Sequence, residues 1–213
     1  MIAGLRSSSA SAADAGANGP VRIGRRSSAP SQPGKPMHIV LFGAGHVGHA
    51  LVTLLGMLPC VVQWVDERDE LFPDEVPANV QVEATDTPDA IVDSVPAGAY
   101  FLVMTHNHAL DFTLATRIMR RRDFTYFGMI GSKTKRVKFE RRLIERGVEP
   151  ERLAQMTCPI GVAGIIDKAP HAIALAVCAE LLQVRTREAA RAAFDASANA
   201  NLSASSHGVT ANV

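Results

Sequence analysis

Apolar runs and helix-period stretches alternate along this chain from residue 37 onward. Residues 39–42 are a short apolar run. A helical pattern follows, then a second apolar run that ends at Asp66. Residues 80–84 make a third, shorter run. Residues 99–105 and 124–130 are nearly continuous apolar runs, as expected for parallel strands buried on both faces. Thr157-Cys158-Pro159-Ile160-Gly161 reads as a strand end or a tight turn. Helices are predicted between the runs: a short one opened by Thr87-Pro88, then 109–121, a strongly basic 133–146, a short 149–155, and a last one from about Pro170. The last carries Ile173, Val177 and Leu181 on one face, and its helical pattern can be followed through Arg187 toward the Ala-rich tail.

Strand alternating with helix predicts an α/β fold: a doubly wound, mostly parallel, Rossmann-like sheet with helices on both faces. Right-handed crossovers make 3-2-1-4-5, with a sixth strand beyond, the natural order. Ligands bind such sheets beyond the carboxyl ends of the strands, where the order reverses between strands 1 and 4. The chemistry of the chain is therefore to be sought at its strand ends.

The first strand ends in Gly43-Ala44-Gly45-His46-Val47-Gly48. This is a GxGxxG turn between a strand and a helix, with Asp66 closing the next strand 18 residues past Gly48. Gly43 suits the tight turn, Gly45 the approach of a phosphate to the backbone, and Gly48 close packing of helix on sheet. The helix N-terminus attracts anions, and Asp66 is the expected partner of a ribose hydroxyl. His46 lies in the turn, where it contacts ligand or caps the helix. The fourth strand ends in Thr105-His106-Asn107-His108, with Asp111 nearby. Polar ligand contacts by Thr105, His106 and His108 are expected there rather than a metal, because no further acid or cysteine has ligand spacing. After the fifth strand, Gly131-Ser132-Lys133 opens a second expected phosphate site. Lys133, Lys135 and Arg136 crowd positive charge onto a helix N-terminus, where cations are unfavourable without an anion. Lys138, Arg141, Arg142 and Arg146 read as a solvated face or a docking surface. Cys158 either lines this pocket or is an inert buried thiol; Cys60 and Cys178 fall in apolar settings and read as core.

Composition narrows the picture. Residues 1–36 and 191–213 are low in apolar residues and rich in Ala and Ser, so both are expected to be disordered tails around a folded domain at 37–190. A formal charge of +1 gives no bias toward nucleic acid. Three widely spaced cysteines fit a reducing compartment, the cytoplasm, and no run is long enough to cross a membrane. No Ser–His–Asp order, HExxH motif or Walker lysine is present, and no second domain supplies a catalytic acid or base.

Four segments together resemble one family: LFGAGHVGHAL (41–51), MTHNHALD (104–111), FGMIGSKTKRVKF (127–139) and CPIG (158–161), the last followed by Lys168-x-Pro170 at the start of the final helix. The chain resembles the Rossmann domain of the xanthine dehydrogenase accessory protein family, XdhC/CoxI, over residues 37–185. The resemblance implies a non-enzymatic chaperone that binds molybdenum cofactor. Such a protein holds the cofactor while a sulfurase, of the cysteine desulfurase kind, installs its terminal sulfur. It then hands the cofactor to a molybdenum hydroxylase of the xanthine dehydrogenase type, and typically works as a homodimer. Family members usually carry a separate domain ahead of this one, where here there is only the tail. Plain molybdopterin has no ribose, so Asp66 suggests a dinucleotide form of the cofactor. Two rivals stay open: a small NAD(P)-dependent oxidoreductase using His106 or His108 as acid–base group, and a nucleotide-sensing regulator.

Overall fold

The computed structural model describes residues 36–206, with side chains through residue 198. Six strands run in the order β1 (Met37–Phe42), β2 (Cys60–Asp66), β3 (Val80–Ala84), β4 (Tyr100–Val103), β5 (Tyr126–Met129) and β6 (Met156–Thr157). They form one sheet, β3-β2-β1-β4-β5-β6, parallel throughout. The helices are α1 (His46–Leu55), α2 (Pro88–Ser94), α3 (His108–Arg120), α4 (Lys133–Glu145) and α5 (Pro170–Ser206). Two short 3-10 helices, Asp69–Leu71 and Pro150–Gln155, complete the set.

Alternation along each strand sends side chains to two cores. Ile39, Leu41, Trp64 and Leu102 meet α1 and α5 on one face, through Leu51, Leu55, Val177 and Leu181. Val40, Phe42, Phe101 and Phe127 meet α2, α3 and α4 on the other, through Val92, Leu114, Ile118 and Leu143. Both faces of β1, β4 and β5 are therefore buried, which is why their sequences read as unbroken apolar runs. The register sets Leu41 beside Trp64 on one side and Leu102 on the other.

The expected helix starts hold to within a residue for α3 and α4, because each has a cap written into the sequence. Asn107 accepts from the Ala109 and Leu110 N–H groups, and Ser132 accepts from Lys135 N–H. One boundary differs. The sequence reading places a structureless tail from residue 191, whereas α5 continues to Ser206. Residues 182–198 bury little surface, so the apolar pattern gives no sign of them; alanine, the best helix former, carries the helix onward. The expected tail at 1–36, apart from Pro36, and residues 207–213 lie outside the described residues.

Candidate functional site

The reversal of strand order between β1 and β4 opens a crevice of about 570 Å3 at the carboxyl edge of the sheet. One wall is the glycine turn, with Gly45, His46 and Gly48; the other is Met104, Thr105 and His106 at the end of β4. The three glycines have separate tasks. Gly43 sits at φ +119°, where a side chain would be strained and would strike the Met104 carbonyl. A Cβ at Gly48 would collide with the Gly43 carbonyl oxygen, so this glycine is required by the packing of α1 onto its own turn. A Cβ at Gly45 would meet nothing within 4 Å. Gly45 thus leaves open space, not packed protein, above the backbone. It is also the N-cap of α1 and provides no capping side chain, and no acid occupies the first turn. The positive end of α1 therefore has neither a capping side chain nor a first-turn acid, whereas α3 and α4 are capped by Asn107 and Ser132.

Asp66 has a different setting from the one expected of a ribose partner. It is 6 % exposed and four donors of the chain surround it. The Ala44 N–H donates to Oδ2 at 2.6 Å and the Arg68 N–H to Oδ1 at 3.0 Å. The Arg68 guanidinium adds two bonds, Nε to Oδ1 at 2.9 Å and Nη2 to Oδ2 at 3.0 Å. Burial works to raise its pKa, yet these donors outweigh burial and hold the carboxyl below its ordinary value. Asp66 clamps the glycine turn to the end of β2, and it borders only a void of about 10 Å3 beside His106, not the crevice.

The second expected phosphate site separates from the first. Gly131 and Ser132 line a larger groove, about 780 Å3, that runs beside α4 and includes His108. Thr105 and Ile130 border both the crevice and the groove. Lys133 is exposed and borders neither; Arg136 is paired with Glu140 (2.7 Å) and also donates to the Cys158 carbonyl (3.4 Å). Cys158 is 1 % exposed, and burial raises its thiol pKa, with Lys135 and Arg136 partly opposing this. The structure thus brings Gly45, His46, Gly48, Thr105 and His106 together, and His108, Gly131 and Ser132 beside them.

Residues 39–181 match the family model described as the XdhC Rossmann domain. The chain belongs to the XdhC family. It is 30 % identical over 153 residues to the uncharacterized protein YqeB of Escherichia coli (strain K12), a match covering 69 % of this chain and 27 % of YqeB. A crystal structure of a xanthine dehydrogenase from Bacillus halodurans has the same fold, with a TM-score of 0.60 and 21 % identity. That match covers 71 % of this chain and 43 % of the other. The chain therefore spans about a quarter of YqeB and less than half of the Bacillus protein.

Within this XdhC domain, the strip between crevice and groove is held by a buried ion pair that motif reading does not reveal. Lys135 Nζ lies 2.6 Å from Asp111 Oδ2 and donates to the Ile130 carbonyl at 2.9 Å. Asp111 is 1 % exposed, and its Oδ1 accepts from the Thr105 hydroxyl at 2.7 Å and from the Thr105 N–H at 3.2 Å. The Thr105 hydroxyl also accepts from the Asn107 N–H at 3.2 Å. Thr105 is thus oriented by the protein, whereas His106 and His108 are exposed. His108 Nδ1 lies 4.0 Å from Asp111 Oδ2. Among the described residues, no three His, Cys, Asp or Glu side chains gather as a metal-holding group. No helix among them is long and apolar enough to cross a membrane.

Proposed function

We propose that this XdhC domain holds molybdenum cofactor in the crevice between β1 and β4 and passes it to a molybdenum hydroxylase of the xanthine dehydrogenase type, without transforming it. The observation that carries this reading is the uncapped start of α1, with open space over Gly45 at the switch point of the sheet. The residues present fit a phosphate-bearing group. The first-turn N–H groups of α1 are directed donors with no side chain to receive them, and the helix dipole favours a dianion there. His46 and His106 flank the crevice with their ring nitrogens, and Met104 gives it an apolar patch. The cofactor, when bound, supplies the redox-active metal that the client uses; the chain supplies a phosphate cradle and walls.

Asp66 supports neither a ribose contact nor an NAD site of the ordinary kind, since four donors of the chain take up its carboxylate. Plain molybdopterin needs no such contact. Sulfuration by a cysteine desulfurase while the cofactor is held, a cytoplasmic location, and a homodimer as the working form belong to the same proposal.

The test is an anaerobic titration of the purified chain with molybdenum cofactor released from a molybdoenzyme, with NAD and with NADH in parallel. Pterin fluorescence and bound molybdenum are read in each. The expected result is saturable cofactor binding with no turnover of NADH. Tight NADH binding with turnover would make the chain an oxidoreductase, and tight NAD binding without turnover a nucleotide sensor.

A further inference from the structure

We propose that the exposed face of α4 is a docking surface for an acidic protein segment. This inference does not depend on what the crevice holds.

Charge is concentrated on this one helix. Lys133, Lys135, Arg136, Lys138, Arg141 and Arg142 face only Glu140 and Glu145 within it, while the whole chain has a formal charge of +1. Three of the cations are answered: Lys135 by Asp111, Arg136 by Glu140 and Arg141 by Glu145 (3.3 Å). Among the described residues, Lys133, Lys138 and Arg142 have no carboxylate within ion-pair distance. Arg142 instead lies over the Phe112 ring, 3.8 Å from its centroid, which holds its guanidinium in place at the groove wall. Like charges on successive turns repel and destabilise a helix, so a surface with no partner gains nothing from them.

Spacing and neighbours identify the partner. From Lys133 to Arg142 the helix rises about 14 Å, too far for the cations to converge on one phosphate. Val137 and Ile144 are 64 % and 45 % exposed on the same helix, one turn to either side of Arg141. Apolar residues set among arginines are the make-up of a protein interface. Single-stranded nucleic acid takes aromatic platforms as well as charge, and the one aromatic on α4, Phe139, is buried. The 780 Å3 groove beside the helix gives concave room for side chains. Its end at Thr105 and Ile130 is shared with the crevice, so a segment seated on α4 ends at the crevice mouth.

The test uses the full chain and fluorescence anisotropy with a labelled amphipathic peptide that alternates Glu and Leu at helical spacing. A Gln-for-Glu version, a labelled single-stranded RNA and unlabelled pyrophosphate are run beside it. The acidic peptide is expected to bind and the Gln version not. Affinity should fall steeply from about 0.1 M to about 1 M salt, as the screening length drops from ~10 Å to ~3 Å. The double variant Lys138→Glu/Arg141→Glu should weaken it by about tenfold or more, the size of two lost rim charges together with their reversal. The reversal Arg187→Glu on exposed α5 should change nothing. Circular dichroism of each variant confirms the fold. Failure of the acidic peptide to bind, equal binding by the folded double variant, displacement by equimolar pyrophosphate, or tighter RNA binding through the same two residues would each overturn the proposal.

Discussion

Replacing Asp66 by Asn should unfold this domain more easily without touching a ligand contact. The two side chains match in shape, so the change removes charge and one acceptor and little else. An amide oxygen can still receive the buried Ala44 N–H, but the amide NH2 then faces the Arg68 N–H and guanidinium, two donors against a donor. Charge-assisted hydrogen bonds contribute about 1.5–3 kcal/mol each. The Arg68 side chain is 32 % exposed, so its share is discounted toward the ~0–1 kcal/mol of a surface pair. The loss should therefore be about 2–4 kcal/mol, or a Tm lower by roughly 4–16 °C for a domain of this size. The pH dependence has a fixed sign. The folded carboxyl has a pKa below its ordinary value, so its contribution is present above the unfolded value of about 4 and is lost as pH falls through the folded one. The gap between wild type and Asp66→Asn in urea melts should be widest near neutrality and close in acid. An Asp66 kept for a ribose hydroxyl predicts the reverse: almost no stability change at neutral pH and a lost nucleotide affinity. That outcome would refute the clamp.

Three further perturbations test the same wall of the site. Asp111→Ala leaves Lys135 buried without its partner and should cost about 3–5 kcal/mol by denaturant melt; Lys135→Met/Asp111→Leu should cost less than the two single changes summed, because it removes both charges. Gly48→Ala places a methyl against the Gly43 carbonyl and should cost about 1–3 kcal/mol, with hydrogen exchange speeding first in the glycine turn. Free thiols Cys158 and Cys178 should react with a disulfide reagent only on unfolding, since both are buried and burial pushes the Cys178 thiol up to about 11.

The sheet was open to reading because its chemistry is local. Parallel strands buried on both faces must be apolar at successive positions, as residues 39–42 and 100–103 are, and the caps at Asn107 and Ser132 mark helix starts in a few letters. What stayed hidden depends on orientation and on distance in sequence. Four cations stand in the six residues Lys133 to Lys138, and nothing local tells which points inward; it is Lys135, because Asp111, 24 residues away, lies under it. Asp66 had a partner two positions on, within reach by the two-residue period of a strand, but an acid at that place in a GxGxxG unit suggests ribose first. Residues 186–198 of α5 are exposed and rich in alanine, a strong helix former, so a reading based on apolar periodicity stops too early.

The central claim is that the bare N-terminus of α1 at Gly45 receives a phosphate. Gly45 has an extended conformation (φ −79°, ψ −175°) suited to a capping side chain and open space where one would lie. Gly45→Asp should therefore stabilise the fold slightly, by about 0.3–1 kcal/mol from cap and dipole. The same carboxylate would occupy the phosphate position and repel a second anion. Measured side by side, the account predicts an unchanged or higher melting temperature with cofactor affinity lowered about a hundredfold or more. A variant that folds as well as the wild type and binds the cofactor equally would contradict it.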